Sequence, residues 1–94
     1  MNDAILRHVH QAVKEKRYIF TDHALEEADN DDLSISDIVW VLLNGDLDSI
    51  FTDDPRGTRY VIRGDIEELE VDVVCRFNQE GILLIIITVY VVDL

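Results

Sequence analysis

The stretch "FTDHALEEADNDDLSISDIVWVLLNG", residues 20–45, sets the fold class because it encodes two helices in succession. Thr21 or Asp22 can cap the first helix, in which small apolar and acidic side chains recur at helical spacing. Ser34 precedes the second helix and is followed three residues later by an acid, which is a capping-box pattern. Gly45 is a suitable residue to end this helix. Each helix has one apolar face, so both helices must pack against another element.

The segments on either side of this helix pair predict a third helix and a set of strands. Residues 3–17 place apolar side chains on one helical face and polar or basic ones outside, which predicts an amphipathic helix. "YIF", residues 18–20, is expected to be a short extended connector. Further on, "TRYVIRG" and "LEVDVVCRF" alternate as strands do, and "ILLIIITVYVV", residues 82–92, is apolar on both faces. This last run is the predicted central strand.

The element order indicates a single α+β domain over residues 1–94, with helices in about 3–45 and a β-meander in about 48–92. The helices are predicted to pack on one face of an antiparallel sheet of about four strands. None of the helices could bury its apolar stripe without that sheet. A chain of 94 residues is long enough for one domain of this kind and no more.

The acidic residues are concentrated in one part of the chain. The formal net charge is −12, and residues 21–54 contain eleven acidic residues and no basic one. Binding to RNA or DNA requires several Lys or Arg to replace phosphate counterions, so nucleic acid is not an expected partner. A protein partner with a basic surface is electrostatically favourable. The sheet edge or an apolar surface is the predicted contact for such a partner, or for a second copy in a homodimer.

Cysteine usage and hydropathy indicate the compartment. Cys75, the one cysteine, lies in an apolar alternation and is predicted to be a small buried hydrophobe, so no internal disulfide forms and a reducing, cytoplasmic compartment is expected. The apolar run at residues 82–92 is too short to cross a bilayer as a helix. The N-terminus "MNDAILRHVHQAVKEKRY" has no uninterrupted apolar stretch typical of a signal peptide. No membrane association is predicted.

The histidines and acidic clusters raise the question of catalysis or metal binding. His23 is either an acid–base group or a polar residue at a helix start, and the second interpretation is favoured. His8 and His10 are two residues apart, which points them to different sides of a helix, so they cannot share a metal. The clusters "DNDD" and "DLD" lack the spacing of a calcium-binding loop. No cofactor and no metal are predicted.

The arginines of the strand region form the second candidate site. Arg59 and Arg63 share one face of their strand, and Glu70, Asp72 and Arg76 share a face of the next. If Arg63 lies opposite Glu70, one sheet face holds three arginines and two carboxylates. Such a face is either an anion or RNA-phosphate site or a ladder of cross-strand ion pairs, and the carboxylates favour the ladder.

Several short motifs occur together in a familiar order. "FTDHALEEA", "LSISDIVWVLLNGD", "DDPRGTRYVIRG" and a terminal "ITVY" resemble a bacterial family known as domain of unknown function 4258, over about residues 18–91. The layout of that family is similar to the RelE/ParE and BrnT toxins, which are compact α+β proteins. The resemblance implies that RelE-type chemistry, cleavage of mRNA by basic and aromatic groups on the sheet, would use His23, Arg59, Arg63, Arg76 and Tyr90.

One departure from the family pattern bears on function. After the His-Ala pair the family usually has Arg-Met and another base, whereas this chain reads "LEEADNDD", which repels nucleic acid. The expected function is therefore a toxin-like fold acting as a non-enzymatic protein-interaction module. The alternative is a RelE-type mRNA-cleaving toxin of a toxin–antitoxin system. The two differ in whether the arginines face open solvent near His23 or are held by Glu70 and Asp72.

Overall fold

The computed structural model describes residues 3–92 and contains, within that range, three helices and five strands. In chain order these are α1 (Asp3–Lys14), β1 (Tyr18–Phe20), α2 (Asp22–Asn30), α3 (Ile35–Asn44), β2 (Asp46–Phe51), β3 (Arg59–Ile66), β4 (Leu69–Phe77) and β5 (Leu84–Val91). The α+β class is confirmed. The first helix ends three residues earlier than the predicted residue 17, and Lys16 has a left-handed φ of 60°.

The helix starts follow the capping chemistry predicted from the sequence. The Thr21 hydroxyl accepts a hydrogen bond from the Ala24 N–H at 3.0 Å and donates to the Ile87 carbonyl at 2.8 Å, so it also fastens α2 to β5. At α3 the Ser34 hydroxyl accepts from the Asp37 N–H, and the Asp37 carboxylate accepts from the Ser34 N–H, at 3.0 and 2.9 Å. The capping box is therefore confirmed, and Gly45 follows the last residue of α3.

The sheet is mixed and has five strands among the described residues, rather than about four antiparallel ones. The strand order is β1-β5-β4-β3-β2, with β1 parallel to β5 and every other pair antiparallel. The prediction that residues 18–20 are a connector is wrong, because Tyr18 to Phe20 pair with Leu84 to Ile86. Three residues are too few to show strand alternation. The reason for the pairing is β5 itself, which is apolar on both faces and needs a neighbour on each side.

All three helices cover one face of the sheet and form the core with it. Helix α2 packs on β5 and β1, α3 packs on β3 and β4, and α1 packs on α3 and β5. The largest buried side chains include Val9, Ile38, Leu42, Ile62 and Ile86, all fully excluded from solvent. Burying each such side chain contributes about 1.5–3 kcal/mol. None of the three described helices packs on the opposite face, which we call the helix-free face; it carries ion-paired and polar side chains together with the buried Val61 and Val74.

The end of α3 lies against the backbone of β3, and this contact requires Gly45. A Cβ atom at Gly45 would lie 2.6 Å from the Arg63 carbonyl oxygen and 2.7 Å from the Val41 carbonyl oxygen. Backbone atoms cannot move aside as a flexible side chain can, so any larger residue would push α3 away from the sheet. The close approach fixes where β2 begins, directly after the helix.

Candidate functional site on the helix-free face

The middle of the helix-free face is occupied by an ion pair between a half-buried arginine, Arg63, and a buried carboxylate, Asp72. The Arg63 Nε and Nη2 atoms donate to the two carboxylate oxygens of Asp72 at 2.6 and 3.0 Å. Asp72 is only 2% exposed. Asp48 and Glu70 lie 3.5 and 3.8 Å from the Arg63 Nη1 atom. The hydrogen bonds with Asp72 raise the pKa of the Arg63 guanidinium. Three carboxylates around one cation leave this cluster negatively charged, so it cannot attract an anion.

The register that creates this pair differs from the prediction. Arg63 lies opposite Asp72, not opposite Glu70, which is a shift of two residues. The reason is that β3 continues past Gly64, and the hairpin closes between Ile66 and Leu69. Its turn consists of two glutamates, the first with a φ of 55°, and glutamate is not a residue that marks a tight turn in a sequence.

Two further residues complete the cluster. A register shift between Leu47 and Ser49 lies at Asp48, and it is this irregular position that reaches Arg63. On the other side, Tyr90 of β5 lies opposite Asp72 and is 41% exposed. Partial burial and the Asp72 carboxylate raise the pKa of the Tyr90 hydroxyl, which keeps this group protonated. The predicted site residues Arg63 and Tyr90 therefore do lie together, but around a carboxylate.

Arg59 is held by a second carboxylate near the edge of the sheet. Its Nε atom lies 3.4 Å from Asp54, without a hydrogen bond, and its guanidinium lies 5.5 Å from the centre of the Phe51 ring. Arg56 also contacts Asp54: its backbone N–H donates at 2.9 Å and its Nε at 3.3 Å. These hydrogen bonds from Arg56, assisted by the charges of both arginines, lower the pKa of Asp54. Asp54 thus organises the loop between β2 and β3.

Arg76 is different, because it forms no ion pair with any residue in the described range. It lies on β4 opposite Ile85, and it borders an open groove of about 720 Å³. We call this the arginine groove; it is lined by residues 55–58, Tyr60 and residues 76–79. The other residues of this groove are not indicated by the sequence pattern, except that the "DDPRGT" turn places Arg56 near the strand ends.

His23 is not brought to the arginines. It lies in the first turn of α2, which packs on β5 and β1 from the helix-covered face, whereas the arginines belong to the opposite face. The His23 ring is exposed and forms no hydrogen bond with the part of the chain that the structure describes. His23, Arg59, Arg63, Arg76 and Tyr90 therefore do not form one constellation. Arg63 and Tyr90 are neighbours, Arg59 is held separately, and Arg76 lies in its own groove.

Cys75 behaves as predicted from its apolar surroundings. It belongs to the core and is fully buried. Burial raises the pKa of the Cys75 thiol to about 12. A thiol with so high a pKa is protonated at neutral pH and is a poor nucleophile. Cys75 is thus a packing residue.

A second, acidic groove lies at the opposite edge of the sheet from β1. It has a volume of about 310 Å³ and is lined by residues 44–48, residues 63–65 and Glu70. We call it the acidic groove, because its carboxylates are Asp46, Asp48, Asp65 and Glu70, against one cation, Arg63. Across residues 3–92, no three His, Cys, Asp or Glu side chains are grouped so as to hold a metal ion. No described helix is both long enough and apolar enough to cross a membrane.

These features define a small α+β domain with one face of its sheet covered by helices and the other bearing two ion-paired arginines and Arg76, which has no ion pair with a described residue. Residues 20–91 match the sequence model of a family described as a domain of unknown function, DUF4258, and the chain belongs to that family. The match extends from β1 through β5 and leaves α1 outside. No curated protein and no solved structure matches the chain.

Proposed function

We propose that the protein is a non-enzymatic interaction module, with a toxin-like fold, that binds a basic, extended segment of a partner protein along β2. The observation that carries this proposal is the open outer edge of β2. The strand has six residues, lies at the end of the sheet and forms no backbone hydrogen bond on its outer side with any described residue. Such an edge is a template for another strand.

The chemistry of this edge selects a basic segment. Asp46 and Asp48 lie on β2, and Asp65 and Glu70 join them in the acidic groove. Only Arg63 opposes them there, so a Lys or Arg side chain of the partner would face surplus negative charge. The whole segment 21–54 is acidic, and its field favours the approach of a cationic partner over an anionic one.

The far end of β2 supplies apolar contacts. Ile50 and Phe51 are 42% and 44% exposed. They project to opposite faces of the sheet because neighbouring strand residues alternate. A partner strand with basic residues at one end and apolar residues at the other would match both halves of β2. The other sheet edge, β1, offers only three residues, and the acidic groove lies at the β2 end of the sheet.

The test uses a synthetic peptide of alternating Lys and Val, with a Glu–Val peptide of the same length as its control. Hydrogen exchange of the backbone amides is measured with and without each peptide. We expect the Lys–Val peptide alone to bind, to protect amides of residues 46–51, and to bind less tightly as salt is added. The proposal would be overturned if the Lys–Val peptide did not bind at concentrations up to about 1 mM, a Kd that corresponds to a binding free energy of about 4 kcal/mol. Protection of amides outside residues 46–51 would also overturn it.

A matched pair of charge reversals sharpens this test. Asp46 is exposed and forms no ion pair with a described residue, so Asp46→Lys breaks no existing contact. We expect Asp46→Lys to weaken peptide binding at least about tenfold, or about 1.4 kcal/mol. Asp29→Lys, on α2 at the other side of the sheet, makes the same charge change and should leave binding nearly unchanged. Equal effects of the two variants would mean that only net charge matters.

A homodimer through β2 is the competing occupant of this edge. Pairing two chains of net charge −12 would bring like charges together, which disfavours it. Light scattering is expected to give a mass near 10.8 kDa at low and high concentration. A doubled mass with β2 amides already protected would replace the basic partner by a second copy.

The single cysteine, free and buried, supports the cytoplasmic location included in this proposal.

The alternative function is a RelE-type mRNA-cleaving toxin. It requires uncommitted cations that stabilise charge at phosphorus, together with an acid–base group close to them. Arg63 and Arg59 are paired with carboxylates, and His23 lies on the other side of the sheet. Induced expression of the chain is expected to leave bacterial growth normal. Growth arrest by the parent chain, but not by its His23→Ala plus Arg59→Ala version, would favour the ribonuclease instead.

A further inference from the structure

We propose that the arginine groove binds a small anion that carries both a phosphate group and a planar base, of the nucleoside monophosphate class. This site is separate from β2 and from the proposed protein interaction. Three properties of the groove carry the inference: its local positive charge, its uncommitted hydrogen-bond donors and its two aromatic side chains.

The groove is a positively charged site in a strongly acidic protein. Arg56 and Arg76 line it, and none of the described carboxylates does. The two lining arginines bring two positive charges, and Asp54, which does not line the groove, is shared by Arg56 and Arg59. Asp53 and Glu80 are close in the chain but do not line the groove.

Arg76 is the anchor expected for the phosphate. Its guanidinium forms no ion pair within residues 3–92, so its planar set of N–H donors is available, in contrast to Arg63. A guanidinium matches two phosphate oxygens at once, which makes arginine the usual partner of that group. Arg56 approaches from the other wall and keeps part of its donor set, since its Nε and Nη2 atoms are the ones bound to Asp54.

Asn78 presents a fixed amide donor at the same place. Its side-chain oxygen accepts hydrogen bonds from the N–H groups of Ile82 and Leu83, at 2.9 and 3.0 Å. This orientation leaves the NH₂ group of Asn78, a residue that lines the groove, as a donor. Thr58 adds a hydroxyl. A preoriented donor loses little entropy on binding, so the turn contributes to affinity as well as to shape.

The aromatic side chains explain why a ring is expected on the ligand. Tyr60 and Phe77 both line the groove, and both are half-buried against the core, so a ligand would contact their exposed parts. Phe77 follows Arg76 on β4 and projects to the other face, so the groove lies across the ends of the strands. The Phe77 ring also packs on His8, whose ring centre lies 4.1 Å away and whose Nε2 donates to the Gly81 carbonyl at 2.8 Å. Contact between a base and an aromatic side chain is a common way in which proteins hold the planar part of a nucleotide. The volume of about 720 Å³ lies within the usual range for small-molecule sites.

The charge of the whole protein decides between a small ligand and a polymer. A nucleic acid would extend beyond the groove over acidic surface, and each added phosphate would be repelled. Screening reduces such repulsion beyond about 8 Å at physiological salt, so one phosphate seated between the arginines is affected mainly by its immediate neighbours. The groove therefore suits a mononucleotide and not RNA.

The test is titration calorimetry with adenosine monophosphate, adenosine, inorganic phosphate and a single-stranded RNA oligomer. We expect the monophosphate to bind with a Kd below about 1 mM, and each of the other three at least about tenfold less tightly. Phosphate binding as tight as the monophosphate, RNA binding tighter than the monophosphate, or no binding of the monophosphate would overturn the proposal.

Variants assign the binding to this groove. Arg76→Ala should abolish measurable binding of adenosine monophosphate, and Phe77→Leu should weaken it severalfold, with circular dichroism confirming that both variants fold. Arg7→Ala removes an exposed arginine from α1, outside the groove, and serves as the matched control. Unchanged binding in Arg76→Ala, or equal loss in Arg7→Ala, would show that the site is elsewhere. Asp46→Lys, which tests the β2 edge, should leave nucleotide binding intact.

Discussion

Arg63 and Arg76 lie on neighbouring strands and project to the same helix-free face, yet their surroundings differ completely. Arg63 is bound by Asp72 through two hydrogen bonds and lies close to Asp48 and Glu70. Arg76 forms no ion pair with a described residue and borders an open groove. The comparison teaches that the strand register decides the role of each arginine. A guanidinium opposite a carboxylate stabilises the fold, and one opposite an apolar residue stays available for a ligand.

The largest effect is expected from removing the carboxylate that holds Arg63. Asp72→Ala leaves the guanidinium without its two strongest hydrogen bonds, although Arg63, with 35% of its side chain exposed, can recover some hydration. We expect the free energy of unfolding to fall by about 2–3 kcal/mol, less than for a fully buried pair. Urea unfolding followed by circular dichroism measures it.

Glu70→Ala is the matched control for this variant. Glu70 lies on the same strand face and contacts the same arginine, but at 3.8 Å and with 38% of its side chain exposed. Exposed pairs of this kind contribute about 0–1 kcal/mol. If Asp72→Ala lowered the free energy of unfolding no more than Glu70→Ala does, Asp72 would not be the carboxylate that holds Arg63 in place.

The next largest loss of stability is expected at the backbone contact between Gly45, at the end of α3, and the Arg63 carbonyl of β3. Gly45→Ala places a methyl group 2.6 Å from the Arg63 carbonyl oxygen, so α3 or β3 must shift. We expect a loss of about 1–3 kcal/mol, the usual cost of overpacking. Ser36→Ala, at an exposed position of the same helix, is the control and should change the free energy of unfolding by less than about 0.5 kcal/mol. If Gly45→Ala were as stable as the parent protein, the end of α3 would not be packed tightly against β3.

Features that depend on neighbouring residues could be predicted from the sequence, whereas features that depend on distant residues could not. Helices α2 and α3 were predictable because their caps are local: Thr21 and Ser34 each bond to a residue three positions away. The pairing of β1 with β5 joins residues 18–20 to 84–86, and no local pattern in three residues indicates a partner so distant. Element type thus followed from nearby residues, and sheet order did not.

The candidate site was predictable only in its residue types. That Arg63 would meet a carboxylate followed from alternation, but which carboxylate depended on a turn of two glutamates that has no recognisable turn residue. The partner of Arg59, Asp54, lies in the loop between β2 and β3 and was not predicted. The observed strand pairing differs from the predicted one by two residues, so Arg63 lies opposite Asp72 instead of Glu70. The arginine groove depends on two separate turns approaching each other, and such a contact is not encoded by spacing along the chain.

The loop that carries Arg56 gives a pH-dependent prediction. Hydrogen bonds from Arg56 lower the pKa of Asp54 below its usual value of 3.8. A lowered folded-state pKa stabilises the fold above that usual value, and the stabilisation is lost as the pH falls through the folded-state pKa. The stability difference between the parent and Asp54→Asn is therefore expected near neutral pH and should diminish in acid below about 3.8. A difference that stayed constant down to acid pH would contradict the role given to Asp54.

The smallest effect on stability is expected where the effect on binding is largest. Arg76→Ala removes a side chain that forms no ion pair with the described residues, so the free energy of unfolding should change by less than about 0.5 kcal/mol. Arg63→Ala, by contrast, leaves the buried Asp72 carboxylate without its partner and should destabilise the protein clearly more than Arg76→Ala does. Both values come from the same urea titration. If Arg76→Ala destabilised the fold as much as Arg63→Ala, Arg76 would be a structural residue, and its groove would lose the free cation on which phosphate binding depends.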